Sequence, residues 1–431
     1  MIESLLEKAK RTVDAAEVFY LETTANDVSF EAGKLKNAER KTAAGLGLRI
    51  IHEGRIGFSS TSDTDRLDEV VENARASARF GKEAHFSFPG SQAGIEVETY
   101  DTAVEHFSPS EAVVEGRRTV ELLGECCPKG LTDIEFSSSV TTVRIVNTSG
   151  LDLSYRSTDF FHSVVSLIVE GDSILWIGDG GHFGTLNIRT DDYVRKISNL
   201  ARLSERKAPK VAGTLPVIFT AEEMPVLLGS IEMGVNGLRL LKGDSPLIGR
   251  ECQRVLGPVT ILDDPSLNHA PGSCPFDDEG MPSTINVLFK DGVFRTFLFD
   301  LETAGQTGRV STGSANRGML STPGISSSNL VMSAGTSSLD DMIAGIDRGI
   351  IVYGVLGGGQ SNMLAGDFAL NIMLGFLVEH GEITGRLVDT MVSGNVYAAF
   401  NDIAAMGADV KPVGTVFVPD VMFSGLSISS R

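Results

Sequence analysis

Hydrophobic positions in the first part of the chain alternate between helical and strand spacing. Ile2, Leu5 and Ala9 recur every three or four residues, which predicts an amphipathic helix at the start. In the segments that follow, apolar and polar residues alternate, and this period of two is typical of strands. The predicted strands are Glu17–Thr23, Asp27–Ala32, Ala44–Ile51 and Arg55–Ser60, with a hairpin turn at His52-Glu53-Gly54 between the last two.

Two longer helices with strands between them are predicted further along. Ser108-Pro109 followed by Glu111 has the pattern of a capped helix start, and this helix should run to about Gly124. Turn signals break up the apolar stretches of Asp133–Ile177, which indicates consecutive strands. A second long helix is predicted from Asp191 to about Arg206.

The second half of the chain is richer in strand signals. Asp291-Gly292 and Glu379–Glu382 each separate two apolar stretches, so each predicts a hairpin. The strands paired by these hairpins are Thr284–Lys290 with Val293–Asp300, and Ile372–Val378 with Ile383–Val388. Ser338 with Asp341 predicts a helix start, and the Lys-, Pro- and Gly-containing stretch Glu205–Thr214 predicts a domain boundary. We expect an α+β protein with two domains. These are an N-terminal α/β domain, residues 1–205, with a mixed or antiparallel sheet and helices, and a β-rich C-terminal domain, residues 206–431.

Composition narrows the class of partner. The 37 basic and 56 acidic residues give a formal net charge of −19, which repels nucleic acid and anionic membranes. No signal peptide is visible at Met1-Ile2-Glu3-Ser4, and the longest apolar runs are too short to span a bilayer. The four cysteines do not suggest a disulfide framework. We therefore expect a cytoplasmic protein with no direct nucleic-acid partner and no membrane partner.

Candidate metal ligands are sparse. His52-Glu53 is the only His-Glu pair, and Ile56 and Gly57 stand where a second histidine would complete a zinc-peptidase motif. The segment Asn268–Gly280 contains a histidine, a thiol and three carboxylates, a set that zinc accepts, although its spacing matches no standard zinc module. Acidic turn residues before a hairpin are the simpler explanation for this segment.

Nucleophile and phosphate motifs are equally weak. Cys274 or Cys252 could pair with a histidine, but the chain has no family-specific signature for such a nucleophile. Neither Gly178–Gly184 nor Gly357-Gly358-Gly359 has the register of a phosphate-binding loop. We interpret both glycine runs as tight turns or as places where another backbone approaches closely.

An ordered series of short motifs in the second half resembles the TldD/PmbA family. The N-terminal half is similar more diffusely, so the resemblance covers nearly the whole chain. The motifs are Ser273-Cys274-Pro275-Phe276-Asp277-Asp278-Glu279-Gly280, Leu339-Asp340-Asp341-Met342, Gly349-Ile350-Ile351-Val352, Gly357-Gly358-Gly359-Gln360, Gly366-Asp367-Phe368, Leu377-Val378-Glu379-His380-Gly381-Glu382-Ile383 and Ser393-Gly394-Asn395.

The resemblance implies two branches, which differ in their metal ligands. TldD-like chains carry H-E-x-x-x-H on a helix early in the second domain and a cysteine near the C-terminus, whereas PmbA-like chains, also called TldE, lack both. The corresponding helix here, near Ala221–Leu228, contains Glu222, Glu223 and Leu227 but no histidine, and the last cysteine is Cys274. The chain therefore resembles the PmbA-like branch. This implies no cofactor and no catalytic residue in this chain, with zinc held only by a TldD-like partner.

The family reading implies a role as a non-catalytic subunit. The chain would pair with a TldD-like metallopeptidase subunit that acts on unfolded peptides. Candidate contacts to the peptide or the partner are Gly357, Gly358, Gly359, Gly394 and Asn395. Two alternatives stay open: a stand-alone binding protein or homodimer that regulates another protein without proteolysis, and an independent hydrolase that uses the Cys274 region. Some family members carry the label modulator of DNA gyrase, to which the net charge gives no support as direct DNA binding.

Overall fold

The structure, a computed structural model, describes residues 1–170, 173–357 and 361–430. The N-terminal part contains five helices and six strands among these residues. In chain order they are α1 (Ile2–Lys10), β1 (Ala15–Glu31), β2 (Lys34–His52), β3 (Arg55–Thr61), a short 3-10 helix (Thr64–Arg66), α2 (Leu67–Ala78), α3 (Thr102–His106), α4 (Pro109–Cys126), β4 (Gly130–Asn147), β5 (Asp152–Glu170), β6 (Ser173–Phe183) and α5 (Thr190–Ser204).

The C-terminal part has shorter elements and more strands, and the predicted α+β class is confirmed. In chain order they are β7 (Ala212–Phe219), a 3-10 helix (Ala221–Glu223), α6 (Met224–Val235), α7 (Gly237–Lys242), β8 (Ile261–Asp263), β9 (Asn286–Lys290), β10 (Val293–Phe294), α8 (Leu301–Thr307), β11 (Ala315–Asn316), β12 (Gly324–Ile325), β13 (Leu330–Met332), α9 (Leu339–Ala344), β14 (Arg348–Gly357), a 3-10 helix (Met363–Ala365), β15 (Asp367–Glu379), β16 (Glu382–Arg386), β17 (Thr390–Asn395), α10 (Val396–Asn401), β18 (Ile403–Met406), β19 (Lys411–Val413), β20 (Val416–Val418) and β21 (Val421–Ser430).

The first six strands form one antiparallel sheet in the order β3-β2-β1-β4-β5-β6. The prediction of two separate strands, Glu17–Thr23 and Asp27–Ala32, is wrong, because both segments belong to β1. The chain stays extended through the polar residues between them because β2 and β4 hydrogen-bond to it on both sides. Polar residues are tolerated there since this stretch of β1 is only half-buried.

The two faces of this sheet are covered differently. Phe136, Phe160 and Val164 lie on one face, where they pack with helix residues such as Tyr193 and Ile197 of α5. The predicted helix start at Ser108 is confirmed, with the reciprocal hydrogen bonds of a capping box, and α4 ends at Cys126. The opposite face is exposed to solvent near the β5–β6 hairpin, as the alternate side chains of β6 show.

Five strands of the C-terminal part close into a ring. β14 pairs with β7, β7 with β21, β21 with β17, β17 with β15, and β15 again with β14. β16 and β18 add to this ring at its margin, and six further strands form a separate sheet in the order β10-β9-β8-β13-β20-β19. The interior of the ring is apolar and includes Val217, Phe219, Val352, Leu370 and Phe423. Because β7 belongs to this ring and leads into α6, the ring supports the start of that helix.

The two halves share a hydrophobic core. Ile218, Ile351 and Phe376 of the ring belong to the same buried cluster as Phe136 and Phe160 of the N-terminal sheet. The division into residues 1–205 and 206–431 stays a prediction.

Local turn chemistry agrees with most of the predicted hairpins. Asp291 and Gly292 both have positive φ, 50° and 77°, between β9 and β10. The second strand of this hairpin is shorter than predicted, because β10 contains only Val293–Phe294. Beyond it, Phe297, Leu298 and Phe299 are buried together in the apolar core of the C-terminal part. The glycines at 178 and 180 lie within β6 and not in a turn, and a Cβ on Gly178 would meet Val164 O at 3.0 Å.

No helix in the described part of the chain combines the length and apolar character needed to cross a bilayer.

Candidate functional site

A helix is present where the resemblance to the TldD/PmbA family implies the counterpart of the metal-binding helix. β7 ends at Phe219, the 3-10 turn contains both glutamates, and α6 follows with Pro225 in its first turn. Asp420 fixes this start because its Oδ1 accepts the Ala221 N–H at 2.8 Å. Leu227 is fully buried in the apolar core of the C-terminal part, so it has a packing role.

Glu222 is held in an ion pair that crosses between the two halves. Lys196 Nζ of α5 lies 2.8 Å from Glu222 Oε1 and 3.0 Å from Asp179 Oδ2 of β6. Burial would raise the pKa of Glu222, but the Lys196 ammonium, with help from Lys411, outweighs it and lowers the pKa to about 2. Glu222 is therefore ionised and neutralised at physiological pH.

Glu223 has a different environment. Its Oε2 accepts the backbone N–H of Val355 at 3.1 Å, at a bulge of β14 where the pairing with β15 shifts register. Burial raises the pKa of Glu223 to about 7; the Val355 N–H opposes this shift and the neighbouring Glu222 adds to it. The carboxyl thus supports the end of β14, and its proton exchanges near neutral pH.

Asp420 and Lys411 complete the group of charges. Lys411 Nζ lies 3.0 Å and 3.1 Å from the two oxygens of the buried Asp420 carboxylate. We call Asp179, Lys196, Glu222, Glu223, Lys411 and Asp420 the helix-start cluster. It has four carboxyl groups and two ammonium groups.

The start of α6 does not fit a metal ion. One of its carboxylates is bound by an ammonium and the other by a backbone N–H, and Leu227 points into the core. A zinc site needs several imidazole, thiolate or carboxylate donors that converge on one point. Within residues 1–170, 173–357 and 361–430, no group of three or more His, Cys, Asp or Glu side chains has such an arrangement.

The described candidate contact residues, Gly357, Gly394 and Asn395, lie at one end of the ring, on strands that flank β15. Gly357 pairs with Leu370 at the end of β14, and Asn395 pairs with Asp367 at the end of β17. Gly358 and Gly359 lie outside the described residues. The structure thus brings Gly357, Asn395 and, through the Val355 N–H, Glu223 to the same region.

Glycine is needed at position 357 for its backbone conformation. Its φ of 112° is one that residues with a Cβ rarely adopt. A Cβ built there would meet Ala369 O only at 3.9 Å, so among the described residues no backbone outside its chain neighbours approaches this position closely.

Gly394 and Asn395 have partners inside the chain. A Cβ on Gly394 would lie 3.0 Å from the Phe368 ring. The Asn395 amide donates to Ala365 O and to Asp367 Oδ1, both at 2.9 Å, and its Oδ1 caps α10. Both residues hold the returning segment that leads into β15.

The acidic segment before the β9–β10 hairpin has structural partners. Asp277 accepts three backbone N–H groups, from Glu279 and Met281 at 2.9 Å and from Ala315 at 3.0 Å. Burial raises the pKa of the Cys274 thiol to about 12, which disfavours the thiolate that a nucleophile needs. His269 pairs with Glu98 at 3.1 Å and not with this thiol.

Sequence reasoning missed a second ionic cluster. Glu17 accepts from Arg49 at 3.2 Å and from Arg317 at 2.8 Å, and Arg49 also pairs with Glu279. We call these four residues the buried network, because each side chain is at most 4% exposed. The only sequence signals were lone charges in apolar runs, at Glu17 in β1 and Arg49 in β2. The pairing of Lys196 with Glu222 had no sequence signal that we recognised.

The chain matches known proteins over nearly its whole length. Three family models match: PmbA/TldA metallopeptidase domain 1 at residues 16–78, the central domain at 109–206 and the C-terminal domain at 212–430. Metalloprotease PmbA of Escherichia coli O157:H7 is 26% identical, with 98% of this chain and 95% of that protein covered. A metalloprotease TldD homolog of Buchnera aphidicola is also 26% identical, with 95% and 88% covered. Sequence identity alone therefore does not separate the branches.

A solved structure matches the fold closely. The crystal structure of TldE from Thermococcus kodakarensis superposes with a TM-score of 0.91, at 25% identity and with 99% of each chain covered. The C-terminal family model alone spans more than half of the chain. This chain belongs to the PmbA/TldD metallopeptidase family.

Proposed function

We propose that this chain is the non-catalytic, PmbA/TldE-like subunit of a two-chain metallopeptidase that acts on unfolded peptides. Its partner would be a TldD-like chain, which holds the zinc. The observation that carries the proposal is the Lys196–Glu222 ion pair at the start of α6. The Lys196 ammonium neutralises the Glu222 carboxylate. In the catalytic branch, the corresponding helix start would carry the residues that bind the metal.

The protonation chemistry of the site supports the same role. A metallopeptidase uses a metal to polarise water and a carboxylate base beside it. Here Glu222 is neutralised by Lys196, and one oxygen of Glu223 accepts a hydrogen bond from the Val355 N–H of β14. These residues stabilise the junction between α5, β14 and α6, which is what a supporting subunit requires.

Contact with an extended peptide is proposed for the end of the ring. Peptides are commonly held by main-chain hydrogen bonds at sheet edges, which need backbone access and little side-chain chemistry. Of the described candidates, Gly357 is favoured, because it ends β14 and no described backbone outside its chain neighbours lies closer than 3.9 Å to its Cβ position. Gly394 and Asn395 would act indirectly, by holding the neighbouring segment in place.

An exposed apolar patch supports assembly with another chain. Val169 and Ile174 are cross-strand partners at the β5–β6 hairpin, and Trp176 and Leu131 both lie opposite Leu167 on the same face. Leu131, Val169, Ile174 and Trp176 are between 42% and 61% exposed. Contiguous exposed apolar residues mark interaction surfaces more often than isolated ones do.

A three-way assay tests the proposal. Turnover of an unfolded polypeptide such as casein is measured with the cognate TldD-like chain alone, with this chain alone and with both. We expect no turnover by this chain alone and strong stimulation of the partner in the mixture. Equal turnover by the partner with and without this chain would overturn the subunit role.

Two variants connect the assay to the patch. Trp176→Glu should abolish the stimulation, because a charge at the centre of an apolar interface is costly to bury. Phe80→Glu is the matched control, since Phe80 is 92% exposed and lies apart from the patch, at the end of α2. The control variant should stimulate as the unsubstituted chain does.

The same patch favours a second candidate, a stand-alone binding protein that forms a homodimer. Sedimentation of the isolated chain distinguishes the two. A dimer that persists when the TldD-like chain is added, and that Trp176→Glu converts to a monomer, would favour the second candidate. Transfer from a homodimer or monomer into a mixed complex would favour the first.

A further inference from the structure

One face of the N-terminal sheet is covered by helices at its two ends. At one end, Val18 and Leu48 pack with α1 and α2. At the other end, Val28 and Phe136 pack with α3, α4 and α5. Val18 and Val28 are an even number of residues apart in β1, so their side chains lie on the same face. The side chains between them on this face therefore form the floor of a gap between the two groups of helices.

A cavity of about 190 Å³ lies in this gap. Its floor consists of cross-strand neighbours from β1 and β4, namely Glu22 opposite Thr142, Thr24 opposite Val140 and Asn26 opposite Ser138. Val104 and Glu105 of α3 also line it, as do Arg40 of β2 and Arg156 of β5. Eight of these ten residues are polar or charged. The cavity is smaller than the pockets that hold drug-sized ligands, so it suits a small polar molecule.

Two of the four charged side chains in the lining are paired with each other. The Arg156 guanidinium lies 2.8 Å from one oxygen of Glu105 and 4.4 Å from the centre of the Tyr100 ring. The Tyr100 hydroxyl donates to the other oxygen of Glu105. This part of the lining is therefore neutral, and its main hydrogen-bonding groups are in use.

The other two charged side chains, Arg40 and Glu22, have groups that remain available. The Arg40 side chain makes no hydrogen bond and no ion pair with residues 1–170, 173–357 or 361–430. Glu22 accepts the Tyr20 hydroxyl with one oxygen, and its second oxygen has no partner in the same part of the chain. Burial raises the pKa of Tyr20 to about 12, and the hydrogen bond to Glu22 adds to this shift, so Tyr20 remains the donor. The cavity thus has one available cation and one available carboxylate oxygen.

These two groups stand at opposite ends of the cavity. Arg40 is the cross-strand partner of Asn26, and Glu22 lies four residues before Asn26 in β1. Four residues of strand span about 13 Å. Thr24 lies midway between them along β1 and carries a hydroxyl group. The order of groups along the cavity is therefore carboxylate, hydroxyl and guanidinium.

This order matches a small zwitterion whose two charges are several bonds apart. A free α-amino acid carries both charges on one carbon, so it cannot contact both ends at once. An extended dipeptide spans about 7 Å, and the side chains of Arg40 and Glu22 can cover the remaining distance. The small volume of the cavity requires that the side chains of such a dipeptide be small.

We propose that this cavity binds a dipeptide with small side chains. Its ammonium group lies at Glu22 and its carboxylate at Arg40, since guanidinium groups hold carboxylates through paired hydrogen bonds. The hydroxyl group of Thr24 contacts the central peptide group. The site goes beyond the proposed function and does not depend on it, because all of its lining residues belong to the N-terminal sheet and α3 of this chain.

Titration calorimetry of the full chain with glycylglycine tests the proposal. We expect saturable binding with a Kd of about 1 mM or tighter. Glycylglycinamide lacks the carboxylate, N-acetylglycylglycine lacks the ammonium group, and glycine is too short to reach both ends. Each of the three should bind about tenfold more weakly than glycylglycine. An absence of saturable binding up to about 20 mM, or equal affinity for any of the three, would overturn the proposal.

Two substitutions connect each end of the cavity with one charge of the ligand. Arg40→Gln should weaken glycylglycine binding about tenfold and leave the affinity for glycylglycinamide unchanged, because that analogue has no carboxylate to lose contact with. Glu22→Gln, which keeps an acceptor for the Tyr20 hydroxyl, should weaken glycylglycine equally and leave N-acetylglycylglycine unchanged. Lys34→Gln and Glu135→Gln are the matched controls, because both side chains are exposed and outside the cavity. Equal weakening of all ligands in one variant, or the same weakening in the controls, would contradict the assigned ends.

Discussion

Two ionic clusters join the N-terminal sheet to the C-terminal part, and they differ in charge balance and exposure. The buried network pairs two carboxylates with two guanidinium groups, all at most 4% exposed. The helix-start cluster has four carboxyls and two ammonium groups, and its Lys196 and Glu222 are 27% and 31% exposed. Similar side chains thus form a neutral, dry contact in one place and an acidic, partly wet one in the other.

The comparison shows what each cluster can do. The buried network pairs Glu17 and Arg49 of the N-terminal sheet with Glu279 and Arg317 of the C-terminal part, so its role is to fix the position of the two halves. In the helix-start cluster, burial raises the pKa of Glu223 to about 7, and the neighbouring Glu222 adds to this shift. Glu223 therefore gives the helix-start cluster a group that changes charge near neutral pH.

The largest expected effect comes from breaking the buried network. Arg317→Met should lower the free energy of unfolding by about 3–5 kcal/mol, because it leaves Glu17 buried with one partner. Urea denaturation measures the loss. Arg66→Met is the control, since this exposed ion pair with Glu69 should have no measurable effect. Equal stability of the two variants would contradict the assigned role.

Lys196→Met should have a smaller effect. It removes the ammonium between Glu222 and Asp179, and we expect a loss of about 2 kcal/mol because solvent reaches this pair. Adding Glu222→Gln to this variant should recover part of the loss, since one uncompensated carboxylate disappears. Additive effects of the two substitutions in a double-mutant cycle would show that the pair is not coupled.

Glu223→Gln should stabilise the protein only at higher pH. The folded pKa of about 7 lies above the ordinary value of 4.5, so the native state holds its proton more tightly and loses stability as pH rises from about 4.5 to 7. Glutamine mimics the protonated form. We expect no change at pH 4.5 and a gain of about 1–2 kcal/mol at pH 8, after allowing for partial exposure. Thermal unfolding at both pH values measures it, and a gain independent of pH would refute the assignment.

The smallest effect concerns the end of the ring. Gly357→Ala should cost about 1 kcal/mol, because alanine is strained at a φ of 112°. Gly124→Ala is the matched control, since Gly124 lies in α4 with open space around its Cβ position, and it should stabilise by up to about 1 kcal/mol. The same sign of change for both variants would mean that backbone conformation does not decide the outcome at Gly357.

Local chemistry was predictable where neighbouring residues determine it. The helix starts at Ser108 and Ser338 have the predicted capping boxes, and Asp291-Gly292 has the predicted turn. The single long strand β1 was not predicted, because its polar middle lacks alternation and stays extended through pairing with β2 and β4. That pairing is a property of the sheet and not of the segment.

The candidate site was predictable in place but not in chemistry. The position of α6 and the absence of histidine from Ala221–Leu228 follow from the sequence. The neutralising Lys196 does not, because it comes from another helix and pairs only once the halves pack. Glu17 and Arg49 meet Glu279 and Arg317 for the same reason, across more than two hundred residues of sequence.

The closure of the ring has a consequence for how the chain is made. β7 lies between β14 and β21, and its register with β21 joins Phe219 to Val421, about 200 residues later in the sequence. During synthesis, β7 cannot pair with β21 until β21 has left the ribosome. With translation at about 5–20 residues per second, that delay is on the order of ten to forty seconds. Throughout it, an apolar strand with an unpaired edge is open to chaperones and to aggregation.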